Sequence, residues 1–385
     1  MRICLVSAHF YPASSYGGPV SATWGLSKKI VDNGVKIFVS TTNANGKRRL
    51  DVRNNKFIEK KENLFVKYYW EEIINRFSLA FIFGIWKDIR KADVVYIQYI
   101  FHYTVFFSLV FSLIQNKQII ICPRGSFSFF TLSNSFSFLK SVWLKLFIDP
   151  FYKHITWHAS SYLEKYDIKR RFPDAKVIII NDGVDFQSFQ DFKRYNKQEL
   201  LNKYLDIDVE YISNIFFSMG RLHLIKRFDI LIDTFLLYLE KDKHAKLIIA
   251  GGDDGVGKEL HQQIVKLELE NSVFLIGEIG FEDKKVLLNN SDYFTLASDF
   301  ESFGVVVIEA LSCGRPILLS SKTPWKDLKK NRCGILVNND KNSFLQGFLQ
   351  ITNESYDKKV IQNYVRSNYD FSIIASQFLA NLKSK

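Results

Sequence analysis

The chain has 385 residues, of which 47% are hydrophobic and 24% are charged. This length favours two domains, and the composition excludes a disordered chain, a collagen-like repeat and a small disulfide scaffold. Lysine and arginine outnumber aspartate and glutamate by 52 to 40, a formal net charge of +12. A basic chain favours anionic partners, such as nucleotide phosphates or anionic lipid. The positive charge would also suit nucleic acid, but the sequence contains no aromatic motif of the kind that binds it. We therefore expect no nucleic-acid partner.

The cysteines and the apolar segments indicate the cellular compartment in which we expect the protein. The four cysteines, Cys4, Cys122, Cys313 and Cys333, lie far apart and form no Cys-x-x-Cys pair. We therefore expect buried, reduced thiols, as in a cytosolic protein. The first apolar run is too short for a signal peptide. The longest one, residues 101–114, is shorter than the roughly 20 residues of a membrane-spanning helix, so we predict a cytoplasmic chain without one.

Strands and helices alternate along the first half of the sequence. A strand at 3–7 is followed by a Tyr-Gly-Gly-Pro loop at 16–19, a helix at about 21–33 and a strand at 35–40. Further strands are predicted at 93–98, 118–122, 155–159 and 176–180, with helical patterns between them. This alternation is typical of a parallel α/β sheet.

The alternation restarts in the second half. Strands are predicted at 214–218, 246–250, 273–276, 292–296 and 316–320, and helices at 226–241, 258–270, 284–289 and up to 313. The polar segment 185–208 is interpreted as the connection between the halves. A terminal helix at about 372–382 has an apolar stripe that another part of the protein must cover.

The first chemical motif begins at Gly220, directly after a predicted strand. Glycine permits a sharp turn there, and the cations Arg221 and Lys226 follow it. Arginine offers a bidentate fork to phosphate oxygens, and lysine offers a point charge. Because open α/β sheets bind ligands at the carboxyl ends of their strands, the motif predicts a phosphate site. The alternative is a pair of surface cations near a helix start.

The second motif, ESFGVVVIE, begins at Glu301 and ends at Glu309. The backbone amides of Phe303, Gly304 and Val305 are expected at a helix N-terminus, where anions bind. The carboxylate at the end of the motif would suit a diol such as ribose, and the one at its beginning would suit a sugar. The alternative is one acid favoured by the helix dipole and one ordinary exposed glutamate.

A glycine pair, Gly251 and Gly252, also follows a predicted strand, which is a weak signal by itself. After the first strand, residues 7–10 read Ser-Ala-His-Phe, so the Gly-x-Gly-x-x-Gly fingerprint is absent there. This argues against a dinucleotide cofactor.

These motifs together resemble the retaining, nucleotide-sugar-dependent glycosyltransferases of the GT-B fold, family 4 type. The specific part is ESFGVVVIEALSCGRPI at 301–317, with GRLHLIK at 220–226, and the resemblance extends over nearly the whole chain. It implies an α/β fold of two Rossmann-like domains that face each other across a cleft. The expected parts are an acceptor domain at 1–190, a donor domain at 191–367 and a helix at 368–385 that returns to the first domain.

The resemblance also implies roles for individual residues. Arg221 and Lys226 would hold the donor diphosphate and stabilise its charge as it leaves. Glu301 would contact the donor sugar, and Glu309 would bind the ribose hydroxyls. Further donor contacts are implied for Gly18, Gly220, Ser302, Phe303, Gly304 and Val305 around the phosphates and for Gly277 and Ile279 at the base. Such enzymes need no metal or other cofactor, because cations and amides stabilise the leaving group.

The acceptor side departs from the pattern. Many relatives have His-x-His before the apolar helix, and here Gln98 holds the second place. His102 is either a substitute or a packed histidine. Arg124 either faces an anionic acceptor, such as a lipid-linked diphosphate sugar, or caps a helix or pairs internally. These three residues are the acceptor candidates.

Residues 136–147 gather apolar side chains on one face, with Lys140 and Lys145 on the flanks. This pattern is typical of an interfacial membrane helix and equally of a core-facing helix. Peripheral contact with the anionic, cytoplasmic face of an inner membrane is therefore one expectation.

The segment Asp206-Ile207-Asp208 has the Asp-x-Asp spacing of metal-dependent transferases of another fold. It lies in the polar connection rather than at a strand end, so we interpret it as solvated charge. No other spacing of histidine, cysteine and carboxylates indicates a metal, and we predict none.

The sequence thus predicts a retaining glycosyltransferase. It would transfer a hexose-type sugar from a nucleotide diphosphate sugar to a saccharide or lipid-linked saccharide in surface polysaccharide or lipopolysaccharide biosynthesis. The alternatives are a sugar-nucleotide epimerase or phosphorylase on the same architecture, or a catalytically silent nucleotide-sugar-binding subunit.

Overall fold

The chain forms two compact units. A computed structural model describes residues 1–133, 136–205 and 211–383. The first unit comprises Met1–Gly183 and Phe371–Lys385, and the second comprises Val184–Asp370. The domain limits predicted from the sequence lie at 190 and 367, a few residues from these.

Sixteen strands are found among the described residues. They are β1 (Arg2–Val6), β2 (Lys36–Thr42), β3 (Ala44–Asn45), β4 (Arg48–Arg49), β5 (Phe57–Lys61), β6 (Leu64–Tyr69), β7 (Val94–Gln98), β8 (Gln118–Cys122), β9 (Ile155–Ala159), β10 (Lys176–Ile179), β11 (Ile215–Met219), β12 (Lys246–Ala250), β13 (Val273–Leu275), β14 (Tyr293–Leu296), β15 (Ile317–Ser320) and β16 (Gly334–Val337). Each predicted strand is confirmed to within two residues at either end.

Fourteen α-helices are found in the same part of the chain. They are α1 (Gly18–Asp32), α2 (Leu79–Arg90), α3 (Tyr103–Ile114), α4 (Phe129–Ser133), α5 (Ser137–Phe147), α6 (Tyr162–Arg171), α7 (Lys197–Leu205), α8 (Phe228–Leu239), α9 (Gly257–Lys266), α10 (Phe281–Asn290), α11 (Val305–Ser312), α12 (Lys341–Asn353), α13 (Lys358–Tyr369) and α14 (Phe371–Lys383). Helix α8 begins two residues later than predicted, because Arg227 adopts a left-handed conformation with φ of 51°.

The first unit is built on an eight-stranded sheet in the order β10-β9-β8-β7-β1-β2-β6-β5. Neighbouring strands are parallel except β5, which pairs antiparallel with β6. This hairpin was not predicted, because its two strands are joined by a turn of two residues and lack a helix between them. The parallel strands place their carboxyl ends, and the loops that follow them, along one edge of the sheet.

Helix α14 completes the core of the first unit. It packs on α1, and its apolar stripe is buried with residues of β1, β2 and β7. The ring of Phe371 lies directly on Gly25 and Gly183, where a methyl group would come within 2.1 and 2.5 Å of it. The stripe that the sequence shows as needing cover is therefore covered by the first unit.

The second unit contains a six-stranded parallel sheet in the order β13-β12-β11-β14-β15-β16. The segment 185–208, interpreted from the sequence as a connection, instead contributes α7 to this unit up to the limit of the described residues. Phe189, Leu200 and Leu201 explain the difference, because all three are buried in the core of the second unit. The fold class, α/β with two Rossmann-like halves, is confirmed.

The expected state of the cysteines is also confirmed, because all four are free and buried. Burial raises the pKa of the Cys313 and Cys333 thiols to about 12, so both are protonated at neutral pH. No helix within 1–133, 136–205 or 211–383 has both the length and the hydrophobicity that crossing a bilayer requires.

Two loops of the second unit approach each other closely after β11 and β12. The Gly220 amide donates to the Ala250 carbonyl at 3.0 Å, and the Gly251 amide donates to the Gly277 carbonyl at 2.7 Å. A methyl group on Gly251 would lie 1.8 Å from the Gly220 carbonyl oxygen. Only glycine fits there without moving the backbone of both loops.

We predict that Gly251→Ala destabilises the protein by on the order of 3 kcal/mol, because backbone must shift to admit the methyl group. Gly280→Ala is the matched control, since nothing lies within 4 Å of a methyl group at that position. Its loss of a helix-capping glycine should cost about 1 kcal/mol or less. Urea unfolding measures both, and equal losses would contradict the close approach described here.

His158 is a buried histidine at the carboxyl end of β9. Its Nε2 donates to the Ile180 carbonyl at 2.7 Å, which leaves Nδ1 to accept from the Tyr96 hydroxyl at 2.7 Å. Burial, with a contribution from the charge of Arg124, lowers the pKa of His158 from 6.5 to about 4. The ring is therefore neutral in the folded protein at neutral pH.

This lowered pKa predicts a loss of stability in mild acid. Below pH 6.5 the unfolded chain takes up a proton at this site, whereas the folded chain does so only near pH 4. Stability contributed above pH 6.5 is thus lost as the pH falls, by about 1.5 kcal/mol between pH 6.5 and 5 for this one group. In urea unfolding, His158→Gln should lack this part of the loss of stability between pH 6.5 and 5. The exposed control His261→Gln should retain it. An unchanged pH dependence in His158→Gln would contradict the assignment.

Candidate functional site

The candidate donor site lies at the carboxyl edge of the sheet in the second unit. Strands β12, β11 and β14 are neighbours there, and they are followed by Gly251, Gly220 and the loop 297–304. The carboxyl edge of an open parallel sheet is where ligands bind in this class of architecture. The topology therefore brings the three predicted motifs to one edge.

Lys226 is the cation most firmly placed in this site. Its ammonium donates to Glu301 Oε1 at 2.5 Å, and the Ser298 hydroxyl donates to the same oxygen at 2.8 Å. Both members of the ion pair are largely buried, with 16% and 12% of their side chains exposed. The methylenes of Lys226 pass over Gly220, where a methyl group would approach them to 3.1 Å. Two predicted motifs are thereby joined.

Arg221 is held differently. Its guanidinium donates to Asp254 at 2.5 Å, but 66% of the arginine side chain and 39% of the aspartate side chain are exposed. An ion pair this exposed contributes little to stability and is easily exchanged for another partner. Arg221 can thus exchange Asp254 for an anionic ligand. Asp254 was not predicted from the sequence as its partner.

The loop before α11 has the expected form of a helix N-terminus. Gly304 has φ of 86°, a left-handed conformation that favours glycine, and α11 begins at Val305. The Phe303 side chain is buried against Trp325, whose indole donates to the Phe303 carbonyl at 2.7 Å. This packing fixes the loop at Phe303, so that only the backbone of that residue is available to a ligand. The Glu301 side chain lies 3.7 Å from the position a methyl group on Gly304 would take.

Glu309 is not a solitary carboxylate. It accepts a hydrogen bond from Lys284 of α10 at 2.5 Å, and 9% of its side chain is exposed, against 13% for the lysine. The preceding loop contains Gly277, which is exposed with φ of 73°, and Ile279, which packs on the core. Lys284 was missed from the sequence, because nothing in the spacing of α10 points to α11.

The predicted donor residues therefore form two neighbouring pairs rather than one cluster. Lys226 pairs with Glu301 and lies over Gly220, and the Glu301 side chain lies beside Gly304. Arg221 directly follows Gly220 in the chain. Glu309 is paired separately with Lys284. Ser302 and Val305 lie on the loop and the first turn between the pairs, and their roles stay predictions, as does that of Gly18 at the start of α1.

In the first unit, two acceptor candidates bind each other. The guanidinium of Arg124 donates to Gln98 at 2.9 Å, to Asp182 at 2.5 Å and to Thr23 at 3.2 Å, and only 3% of it is exposed. Burial opposes its charge, but Asp182 more than compensates and raises the pKa of Arg124. The internal pairing that the sequence left open is therefore what the structure shows.

His102 caps the N-terminus of α3. Its Nδ1 lies 2.8 Å from the Thr104 hydroxyl, and its Nε2 is buried without a partner among the described residues. Burial lowers its pKa to about 4. His9, which the sequence analysis did not select, stacks on Tyr16 at 3.4 Å and lies 5.9 Å from the His102 ring. The first unit thus has a pair of neutral, buried imidazoles beside its sheet edge.

A metal ion would need a group of side chains that could bind it together. Across the described ranges, no three histidine, cysteine or carboxylate side chains are grouped so that they could hold an ion. Asp206 and Asp208 lie outside the described residues, so their interpretation as solvated charge stays a prediction.

Comparison with known proteins gives matches to glycosyltransferases. Residues 210–367 match the family described as Glycosyl transferases group 1. The mannosylfructose-phosphate synthase of Agrobacterium fabrum is 26% identical over 165 residues, which are 41% of this chain and 34% of that protein. The GDP-mannose:cellobiosyl-diphosphopolyprenol alpha-mannosyltransferase of Komagataeibacter xylinus is 24% identical over 208 residues, 52% of this chain and 48% of that protein. The chain thus spans about a third to a half of the length of these relatives.

Similarity to a solved structure extends over the whole chain. The Anabaena protein HepE, crystallised in complex with UDP and glucose, superimposes with a TM-score of 0.75 at 17% sequence identity, and all of both chains is covered. At this identity the likeness establishes the fold. Residues 210–367 therefore match the glycosyl transferases group 1 family, and the chain has the GT-B fold.

Proposed function

We propose that the chain is an enzyme that transfers a hexose-type sugar from a nucleotide diphosphate sugar to a saccharide or lipid-linked saccharide, with retention of anomeric configuration. The observation that carries the proposal is the Lys226–Glu301 pair, which lies between the Gly220 turn and the N-terminus of α11. A lysine, a helix N-terminus and a carboxylate in contact offer partners for a phosphate and for sugar hydroxyls at one place.

The charges of this site are suited to stabilising a diphosphate as the leaving group. Lys226 and the exposed Arg221 supply positive charge, and the first turn of α11 supplies amides that have no carbonyl of an earlier turn to bind. Negative charge grows on the diphosphate as its bond to the sugar breaks, and fixed cations and amides stabilise that charge most in the transition state. In this proposal they do so without a metal ion.

The carboxylates would bind the hydroxyl groups of the donor. Glu301 keeps one oxygen on Lys226 and Ser298, which leaves the other for the transferred sugar. Glu309 is likewise held by Lys284 through one oxygen, so that its second oxygen can accept from a ribose hydroxyl. The lysines thus orient the carboxylates as well as balance their charge.

Retention of configuration follows the resemblance to the family. The acceptor oxygen would bond to the anomeric carbon on the face from which the diphosphate departs, while the acceptor proton moves to the departing phosphate oxygen. This step needs no protein residue as a covalent nucleophile.

The proposal also includes the acceptor and the cellular location of the reaction. One relative is named for a diphosphopolyprenol-linked acceptor, and the +12 charge of this chain suits an anionic membrane surface. We therefore place the reaction in surface polysaccharide or lipopolysaccharide assembly, at the cytoplasmic face of a membrane. Of the three acceptor candidates we propose His102 as the acceptor residue of the first unit, because Arg124 and Gln98 already bind each other.

We predict that Lys226→Ala lowers kcat by about 10²- to 10³-fold, the usual effect of losing one group that stabilises charge in the transition state. Release of nucleoside diphosphate in the presence of an acceptor pool measures the rate. Lys226→Arg keeps the charge and should recover part of it, and the exposed control Lys330→Ala should match the unchanged protein. If Lys226→Ala kept the full rate, the assignment of the leaving-group site would be wrong.

Donor binding tests the rest of the site. We expect one member of a panel of UDP-, GDP-, ADP- and TDP-sugars to raise the melting temperature, because a ligand of the folded state stabilises it. Glu309→Ala should weaken binding of that donor by about tenfold or more, the effect of losing a hydrogen bond to a charged group. Binding without any release of nucleoside diphosphate would instead indicate a silent nucleotide-sugar-binding subunit.

A further inference from the structure

Helix α5 of the first unit exposes three of its seven apolar side chains. Leu144 is its only buried residue. Phe138, Leu139 and Leu146 are exposed to 76%, 60% and 59%, and they lie on one side of the helix. The opposite side, with Leu144 and Phe147, packs on the unit. The core-facing alternative that the sequence left open for residues 136–147 therefore accounts for only one side of this helix.

The neighbouring helices continue the same surface. Phe106 of α3 packs on Phe147 of α5 with ring centroids 4.5 Å apart, and Phe111 of α3 packs on Trp86 of α2 at 5.2 Å. The three helices are thus adjacent, and α4 also contacts α5. Their outward side chains include several large and exposed apolar groups: Leu79, Phe83 and Trp86 on α2, Ile114 on α3 and Phe129 on α4. We call the outward side of α2, α3, α4 and α5 the apolar face.

The charges on the apolar face are of one sign. The four helices contain Lys87, Arg90, Lys140 and Lys145, and a single acid, Asp88. Asp88 is buried, where it accepts from Lys67 at 2.5 Å and from the Tyr69 hydroxyl at 2.6 Å. Lys140 is half-buried and donates to the Thr131 carbonyl at 2.7 Å, whereas the other three cations are exposed. The helices therefore present three cations and hydrocarbon outward, and their one carboxylate is turned inward.

This combination selects the partner. Several large aromatic and aliphatic groups exposed on one surface are typical of a binding surface rather than of solvent contact. A second copy of the chain would bring cations against cations, which opposes association. An anionic bilayer accepts both features, because hydrocarbon enters its interface while lysine and arginine remain at the headgroups.

We propose that the apolar face binds the surface of an anionic membrane, with Phe138, Leu146 and Phe83 inserted among the lipids and Lys145 at the headgroups. The inference deepens the proposed function, on which it rests for its biological sense, because it names the surface that would bring the enzyme to a lipid-linked acceptor. The attachment is interfacial and does not cross the bilayer.

Co-sedimentation of the full chain with vesicles tests this proposal. We expect binding to vesicles of phosphatidylcholine with phosphatidylglycerol, weaker binding to phosphatidylcholine alone, and a decrease as salt rises. Phe138→Ser combined with Leu146→Ser should weaken binding at least tenfold, since each removed side chain contributes its burial in the interface. Lys145→Gln should weaken binding to the anionic vesicles by about fivefold.

Matched controls come from the second unit. Tyr211→Ser removes an aromatic side chain that is 60% exposed, and Lys330→Gln removes an exposed charge. Both should bind vesicles like the unchanged chain. The proposal is overturned if no vesicle binds, if the controls weaken binding as much as the variants of α5, or if sedimentation velocity shows an oligomer that Phe138→Ser dissociates. Donor-induced stabilisation is measured separately, so its loss with vesicle binding intact would count against the sugar-transfer proposal alone.

Discussion

The ion pair between Lys226 and Glu301 is the contact on which the candidate donor site depends. It joins two loops that are 75 residues apart in the sequence, and its burial means that each charge needs the other. Removing one partner would leave the remaining charge largely buried and uncompensated. The site is consequently assembled before any ligand arrives, with the ammonium already positioned at the N-terminus of α11. Preorganisation of this kind is what allows fixed charges to stabilise a transition state without reorganising.

Much of the fold was readable from the sequence, for reasons of local pattern. Buried parallel strands are short apolar runs, and the turn after each strand is marked by a residue such as Gly220 or Gly251. The motif from Glu301 to Glu309 was confirmed as a loop and helix start, because Gly304 and the buried Phe303 specify that geometry within a few residues. Interactions of short range along the chain are the ones a single sequence reveals best.

What the sequence did not reveal depends on distance along the chain. Lys284 and Asp254 become partners of the predicted donor residues only through the order of strands in the sheet. The pairing of Gln98 with Arg124 likewise joins residues that are 26 positions apart and follow neighbouring strands. For the helix at 136–147, the apolar periodicity is the same whether the apolar face packs on a core or on lipid. Only the exposed fractions of its side chains distinguish a core-facing helix from a membrane-facing one.

Phe371 has a consequence for how the protein is made. Its ring fills the space over Gly25 and Gly183, and the rest of α14 closes the core of the first unit. During translation, the hydrophobic surface that α14 covers on the first unit therefore stays exposed until the ribosome has synthesised the whole of the second unit. Domains usually complete their folding in the order of synthesis, and incompletely folded intermediates aggregate through such surfaces. Here the order is inverted, so chaperone demand should fall on the half of the polypeptide that leaves the ribosome earliest.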